Sequence, residues 1–258
     1  MALIKKFRIK SFKKNDEILK LEKISMFYNK RQILNNLSLG INKQEILGML
    51  GPNGVGKSTI FHIVTGLKDP SYGKVLINGV DCTNIPIYER ATKFKIGYVP
   101  QYGGFIQDLT LLENLKLVGE IHIKEKDLRN EKIEKVISQF EFDPLLKIKA
   151  KHLSGGQKKK LVISMTLIND PSILLLDEPF AALDILTIKM LQEIIVNLQS
   201  LEKITVVVCD HQARDLLSCV DRAIVLSNGK IIASGSPDEI IKDTDARSAY
   251  FGDEFKIN

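Results

Sequence analysis

The stretch "GPNGVGKST", Gly51–Thr59, decides how the rest of the chain is read. A short apolar run, "EILGML", leads into it, and the helix-patterned "IFHIVTGL" leads out. Gly51 to Ser58 fits the spacing G-x-x-x-x-G-K-[ST]. A strand–loop–helix unit of this kind binds phosphate for a physical reason. Glycine removes the Cβ that would bar the backbone from an anion, and free N–H groups at a helix start point their dipoles at it. Gly51, Pro52, Asn53, Gly54, Val55 and Gly56 make the cradle. Lys57 reaches the β- and γ-phosphates of a nucleotide, the Ser58 hydroxyl is a ligand for Mg²⁺, and Thr59 opens the helix beside it.

"SILLLDEP", Ser172–Pro179, supplies the partner of that loop. An apolar run ending in Asp177 reads as a buried strand with a carboxylate at its carboxyl end, placed to bind Mg²⁺ directly or through water. Glu178 follows at the sheet edge, where a carboxylate can orient and polarise an attacking water.

Short apolar runs separated by turn residues, from "LKLEKISMFY" to "GINKQEILGML", predict strands and a small antiparallel subdomain at the start. "GKVLINGV", "IGYVP", "SILLLD" and "ITVVVCD" are further strands. "RAIVLSNGKIIASG" is a strand pair turned at Asn228 and Gly229. Between about residues 105 and 170 the period changes to that of helices, in "TLLENLKLVGEI" and "RNEKIEKVISQF". Strands alternating with helices predict an α/β fold: a mostly parallel core sheet with a helical subdomain inserted into it.

The chain has 258 residues, enough for a substantial core, and no apolar run approaches the roughly 18 residues of a membrane span. "MALIKKFRIKSFKKND" has no continuous apolar centre, so no secretory signal is expected and the protein is expected in the cytoplasm. Cys82, Cys209 and Cys219 are widely spaced and read as reduced thiols. The net charge of +6 is concentrated in an extension over residues 1–18. Lys5, Lys6, Arg8, Lys10, Lys13 and Lys14 alternate there with Leu3, Ile4, Phe7, Ile9 and Phe12, a candidate arm for an anionic membrane surface. No basic–aromatic stripe points to nucleic acid.

A second glycine-bearing helix start, "LSGGQKKK", lies at Leu153–Lys160. With "GPNGVGKST" and "LLLDEPFAALD", it resembles the ATP-binding subunits of ABC transporters, a likeness running from about Leu21 to Phe255. The resemblance implies a P-loop NTPase of ABC type over residues 19–258, an ATPase using Mg²⁺. It implies two copies packed head to tail, with Ser154, Gly155, Gly156 and Gln157 of one closing over the ATP held by the other. It implies a stacking role on adenine for Tyr28, a Mg²⁺- and water-sensing role for Gln101, an interface role for Asp184 and a γ-phosphate contact for His211. His62, His122 and His152 match no family position and read as structural.

The membrane part would be a separate chain. "CDHQARDLLSCVDRAIVLSNGKIIASGSPDEI" and the end "AYFGDEF" are most similar to ATPases of lipopolysaccharide export. ATPases of branched-chain amino acid importers look similar over much of the length, and single-unit ABC ATPases of soluble assembly systems are the third reading. Two departures stand out. Ile106, Gln107 and Asp108 replace an arginine-bearing stretch, and Lys158, Lys159 and Lys160 stand where arginines are usual. The lysines read as a solvated run.

Overall fold

A computed structural model describes residues 16–252. The basic arm and Asp253, Glu254 and Phe255 of the acidic–aromatic end lie outside the described residues. The elements are β1 (Glu17–Tyr28), β2 (Arg31–Asn42), β3 (Ile46–Leu50), α1 (Lys57–Thr65), β4 (Tyr72–Ile77), β5 (Val80–Asp81), α2 (Ile87–Lys93) and β6 (Ile96–Val99). Then come α3 (Leu111–His122), α4 (Lys126–Gln139), α5 (Gly155–Leu167), β7 (Ile173–Asp177), α6 (Ile185–Ser200) and β8 (Thr205–Cys209). α7 (Ala213–Cys219), β9 (Arg222–Ser227), β10 (Lys230–Gly235) and α8 (Pro237–Lys242) follow. β1 starts at Glu17, so Glu17 and Ile18, counted with the extension from sequence, are strand residues, and Ile18 is buried.

Two sheets carry the fold. One is antiparallel, in the order β2-β1-β4-β5, and the other has the order β10-β9-β3-β8-β7-β6. In the second, β9, β3, β8, β7 and β6 run parallel and β10 turns back antiparallel on β9. β3, β7 and β8 are buried at every residue, which is why their sequences are continuous apolar runs rather than alternations. The β9–β10 turn has positive φ at Asn228 and Gly229 (48° and 71°), as an Asn-Gly hairpin requires. A Cβ on Gly229 would lie 2.4 Å from the Ile33 carbonyl, and Asn35 N–H donates to the Gly229 carbonyl, so this turn also seats the antiparallel sheet on the core.

The helices between β6 and β7 pack on a shared apolar cluster that includes Leu115, Ile133, Phe140, Phe142 and Leu161. Phe140 and Phe142 stack with centroids 5.7 Å apart, a contact worth about 0.5–1.5 kcal/mol beyond burial. α3 opens with a capping box of Thr110 and Glu113. α2 was not legible in the sequence. Its Arg90 is fully buried and donates to the carbonyls of Ile63 and Val64, at the end of α1, and to those of Thr83 and Ile85. A guanidinium there complements the negative end of that helix. Among the described residues, no helix is long and apolar enough to cross a membrane.

Candidate active site

β3 ends at Leu50 and the glycine loop begins at once. Gly54 and Gly56 have φ of 76° and 114°, the left-handed region that a Cβ resists. A Cβ on Gly56 would lie 2.7 Å from Leu34, so the loop is laid against β2. A Cβ on Gly54 would meet nothing within 4 Å. Packing does not require glycine there; conformation and an open approach do. Gly56 caps α1 without a side chain, so no capping side chain claims the first N–H groups of that helix. The Lys57 side chain curls back, and its Nζ donates to the carbonyls of Gly51 (2.7 Å) and Pro52 (3.0 Å). A phosphate in the cradle would compete for that ammonium with two neutral carbonyls, and its charge favours it. Tyr28 is exposed at the far end of β1, in the hairpin whose second strand carries Leu34.

Asp177 ends β7 and is 4% exposed. Three donors converge on it: Ser58 Oγ at 3.2 Å, Tyr98 OH at 3.1 Å and Cys209 Sγ at 2.8 Å. Burial, then the Asp177 charge, pushes the Tyr98 phenol well up. The same two causes push up the Cys209 thiol. Both therefore stay protonated and keep donating. Ser58 and Asp177 offer hard oxygen atoms beside the phosphate cradle, the donor set Mg²⁺ prefers. Among the described residues, no group of three His, Cys, Asp or Glu is placed to hold a metal ion. A Mg²⁺ ion held here would complete its shell from phosphate and water, its usual habit.

Glu178 follows with φ of 46°, a strained value for a non-glycine residue. Its N–H donates to the Cys209 carbonyl at 2.8 Å, which pins the strained backbone to β8. The carboxylate accepts from Gln101 Nε2 at 2.5 Å, and His211 Nδ1 stands 3.6 Å away. His211 also lies 3.7 Å from Asp210, which is fully buried and accepts from the N–H groups of Phe180 and Gln212. Ser58, Asp177, Gln101, Glu178 and His211 thus gather along the carboxyl ends of parallel strands, where open α/β sheets hold ligands.

The second glycine motif forms a separate patch. Ser154 caps α5 in a capping box: its Oγ accepts from Gln157 N–H (3.3 Å), and Gln157 Oε1 accepts from Ser154 N–H (2.8 Å). Ser154 and Gly155 are exposed while Gly156 is buried. A Cβ on Gly156 would sit 2.3 Å from Thr187, and one on Gly155 would touch Leu183. Thr187 is itself held by Asp184, which caps α6. The motif and the "AALD" loop are therefore packed together within one chain.

Residues 34–181 match the family described as ABC transporter. The chain belongs to the ABC transporter ATP-binding family. The ABC relatives include the lipopolysaccharide export system ATP-binding protein LptB of Haemophilus influenzae, 36% identical over 244 residues, 93% of this chain and 99% of that protein. An uncharacterized ABC transporter ATP-binding protein, R00382, of Rhizobium meliloti is 36% identical over 230 residues, 89% of this chain and 84% of that protein. The crystal structure of a nucleotide-free ATP-binding cassette superposes with a TM-score of 0.83 at 28% identity, covering 92% of this chain and 100% of that one. A dimeric cassette in a post-hydrolysis state with ADP and Pi has a TM-score of 0.76 at 28% identity, covering 85% and 98%. The protein is an ATP-hydrolysing enzyme of ABC type, similar to LptB.

For an ABC ATPase, four contributors escaped the sequence reading. Tyr98 and Cys209 act on Asp177 from the flanking strands, and Asp210 braces the turns after β7 and β8. The fourth is Lys159, and with its neighbour Lys160 it is a correction. Lys159 and Lys160 are not a solvated run: Lys159 Nζ donates to the Gln101 carbonyl at 2.7 Å, and Lys160 lies over the Phe142 ring. His62, read as structural, lies edge-on to Tyr98.

Proposed function

We propose that this ATPase works as a head-to-tail dimer that powers separate membrane subunits in exporting lipopolysaccharide from the inner membrane towards the outer membrane. The observation carrying the export reading is the 36% identity to a lipopolysaccharide export ATPase over 99% of that protein's length. The protein sits on the cytoplasmic face of the membrane, and its basic arm lies against anionic lipid.

The glycine loop of one copy binds the phosphates, with Lys57 leaving the Gly51 and Pro52 carbonyls for the β- and γ-phosphates. Tyr28 stacks on adenine. Ser154 and the N–H groups of Gly155 and Gly156 from the second copy close the γ-phosphate, and Asp184 lines the interface. Glu178 accepts a hydrogen bond from the attacking water, Gln101 and His211 fix the position of Glu178, and His211 contacts the γ-phosphate. Ser58, Asp177 and Gln101 would hold Mg²⁺, which would supply positive charge to offset that of the phosphates.

Purification of the tagged chain from its native membranes tests the partner class. Integral membrane subunits together with bound lipopolysaccharide are the expected companions. Recovery of an amino acid permease pair, or of soluble scaffold proteins alone, overturns the export reading.

A further inference from the structure

The lysine run after the signature motif is the part of the sequence that the family pattern leaves unexplained. Lys158, Lys159 and Lys160 are all partly buried, and they do different things. Lys160 covers the Phe142 ring at 5.7 Å. Lys159 turns to the site, and its Nζ donates to the main-chain carbonyl of Gln101 at 2.7 Å. Burial pulls its pKa down, and the nearby carboxylates of Asp210, Asp177 and Glu178 oppose that pull. An ammonium taken partly out of water needs such partners.

The contact matters because of what each end is attached to. Gln101 lies in an irregular segment, and Gly103 and Gly104 follow with φ of 75° and 83°. Regular secondary structure does not hold its main chain. Its side chain holds Glu178 at 2.5 Å. Lys159 belongs to α5, the helix whose start is exposed at Ser154 and Gly155. The same helix meets the segment again where Val162 would lie 2.9 Å from a Cβ on Gly104. One helix thus has its start at the surface and its first turns seated on the segment that aims Glu178.

We propose that Lys159 is a positioning residue for hydrolysis: it ties the Gln101 main chain, and through it the Gln101–Glu178 contact, to the helix whose N-terminus closes over the partner's ATP. The consequence is reciprocal. Seating α5 on the ATP of the second copy sets Gln101 and Glu178 in the first, so each site fires when the opposite one is closed. This rests on the dimer and site assignment proposed above.

The test is steady-state ATP turnover by the full chain carrying Lys159→Met, Lys159→Arg or Glu178→Gln. Lys159→Met is expected to lower kcat about 10- to 100-fold, the cost of a misplaced group, with KM for ATP within about twofold. Its Hill coefficient for ATP should fall towards one. Lys159→Arg, still a long cationic donor, should recover to within about threefold of wild type. In a Gln101→Ala background Lys159→Met should add less than about twofold, because the route is already cut. The ATP-dependent dimer of Glu178→Gln should survive addition of Lys159→Met. Should the methionine variant not fold, Lys159→Gln carries the same expectations. Normal kcat in Lys159→Met, full additivity with Gln101→Ala, loss of the dimer, or an arginine variant as slow as methionine each overturns the proposal. If Glu178→Gln itself turns over normally, the site assignment falls instead.

Discussion

The molecule has two glycine-bearing helix starts, and they are finished differently. At Gly56 the helix is capped by a residue with no side chain, and the neighbouring Lys57 is buried on carbonyls of its own loop. At Ser154 the helix is capped twice over, by the Ser154–Gln157 box, with Ser154 exposed and Gln157 half-buried. The first leaves its N–H groups and its cation to be claimed by an anion brought into the chain. The second caps the N–H groups of Ser154 and Gln157, leaves those of Gly155 and Gly156 without a cap, and exposes Ser154 and Gly155, as suits a surface that meets something already bound elsewhere. Both starts read as phosphate sites in the sequence; their caps differ in the way the proposed holder and the proposed closer should.

The comparison breaks first if hydrolysis does not depend on the holder's own carboxylate. Glu178→Gln keeps side-chain size at the positive-φ position, yet removes the carboxylate proposed to align water. Turnover should fall about 10²- to 10⁴-fold while ATP binding and ATP-dependent dimerisation persist. Near-normal turnover would mean that another group aligns the water.

Ser154→Ala bears on the closer and has a smaller expected effect. Losing the cap costs about 1 kcal/mol of stability, visible as a modest drop in melting temperature. Turnover should fall about 100-fold, as when one oxyanion donor is removed, with ATP binding by the monomer unchanged. A parallel loss of monomer ATP binding would place Ser154 in the holder and erase the distinction. Gly156 is the poorer target, because a Cβ there collides with Thr187 within the same chain.

Much of this was legible, and the boundary is physical. Gly51–Ser58 and Asp177–Glu178 could be read because their spacing is local: a turn, a helix start and a strand end lie within a few residues of one another. The buried strands and the Asn228–Gly229 hairpin were legible for the same reason. Tyr98 and Cys209 were not, because their bonds to Asp177 depend on β6 and β8 flanking β7, an order of strands that no local pattern carries. Arg90 was hidden because α2 is short and its cation is buried on carbonyls, where charge normally signals surface. Lys159 was misread for a like reason. Its neighbours in sequence are lysines, but its neighbours in space are carboxylates and a carbonyl.

The smallest effect concerns what supports the closer. Asp184 caps α6, accepting from Thr187 N–H at 3.0 Å and from Thr187 Oγ1 at 2.5 Å, and Thr187 is the residue against which Gly156 packs. The Thr187 hydroxyl first, and then its N–H, hold the Asp184 carboxyl below the ordinary aspartate value of 3.8. A group whose pKa is depressed by folding stabilises above its unfolded value, and that contribution is lost as pH falls through the folded value. Wild type should therefore melt above Asp184→Ala near neutral pH, and the gap should shrink below about pH 4. Asp184→Asn keeps a capping oxygen and has no carboxyl to titrate, so its gap to Asp184→Ala should stay constant over the same range. Thermal melts of the three proteins from about pH 7 to pH 3 decide it. A gap between wild type and alanine that ignores pH would show that the carboxylate does not cap α6 in solution. The closer would then rest on the Ser154–Gln157 box and the contact of Gly155 with Leu183, without the Asp184–Thr187 brace.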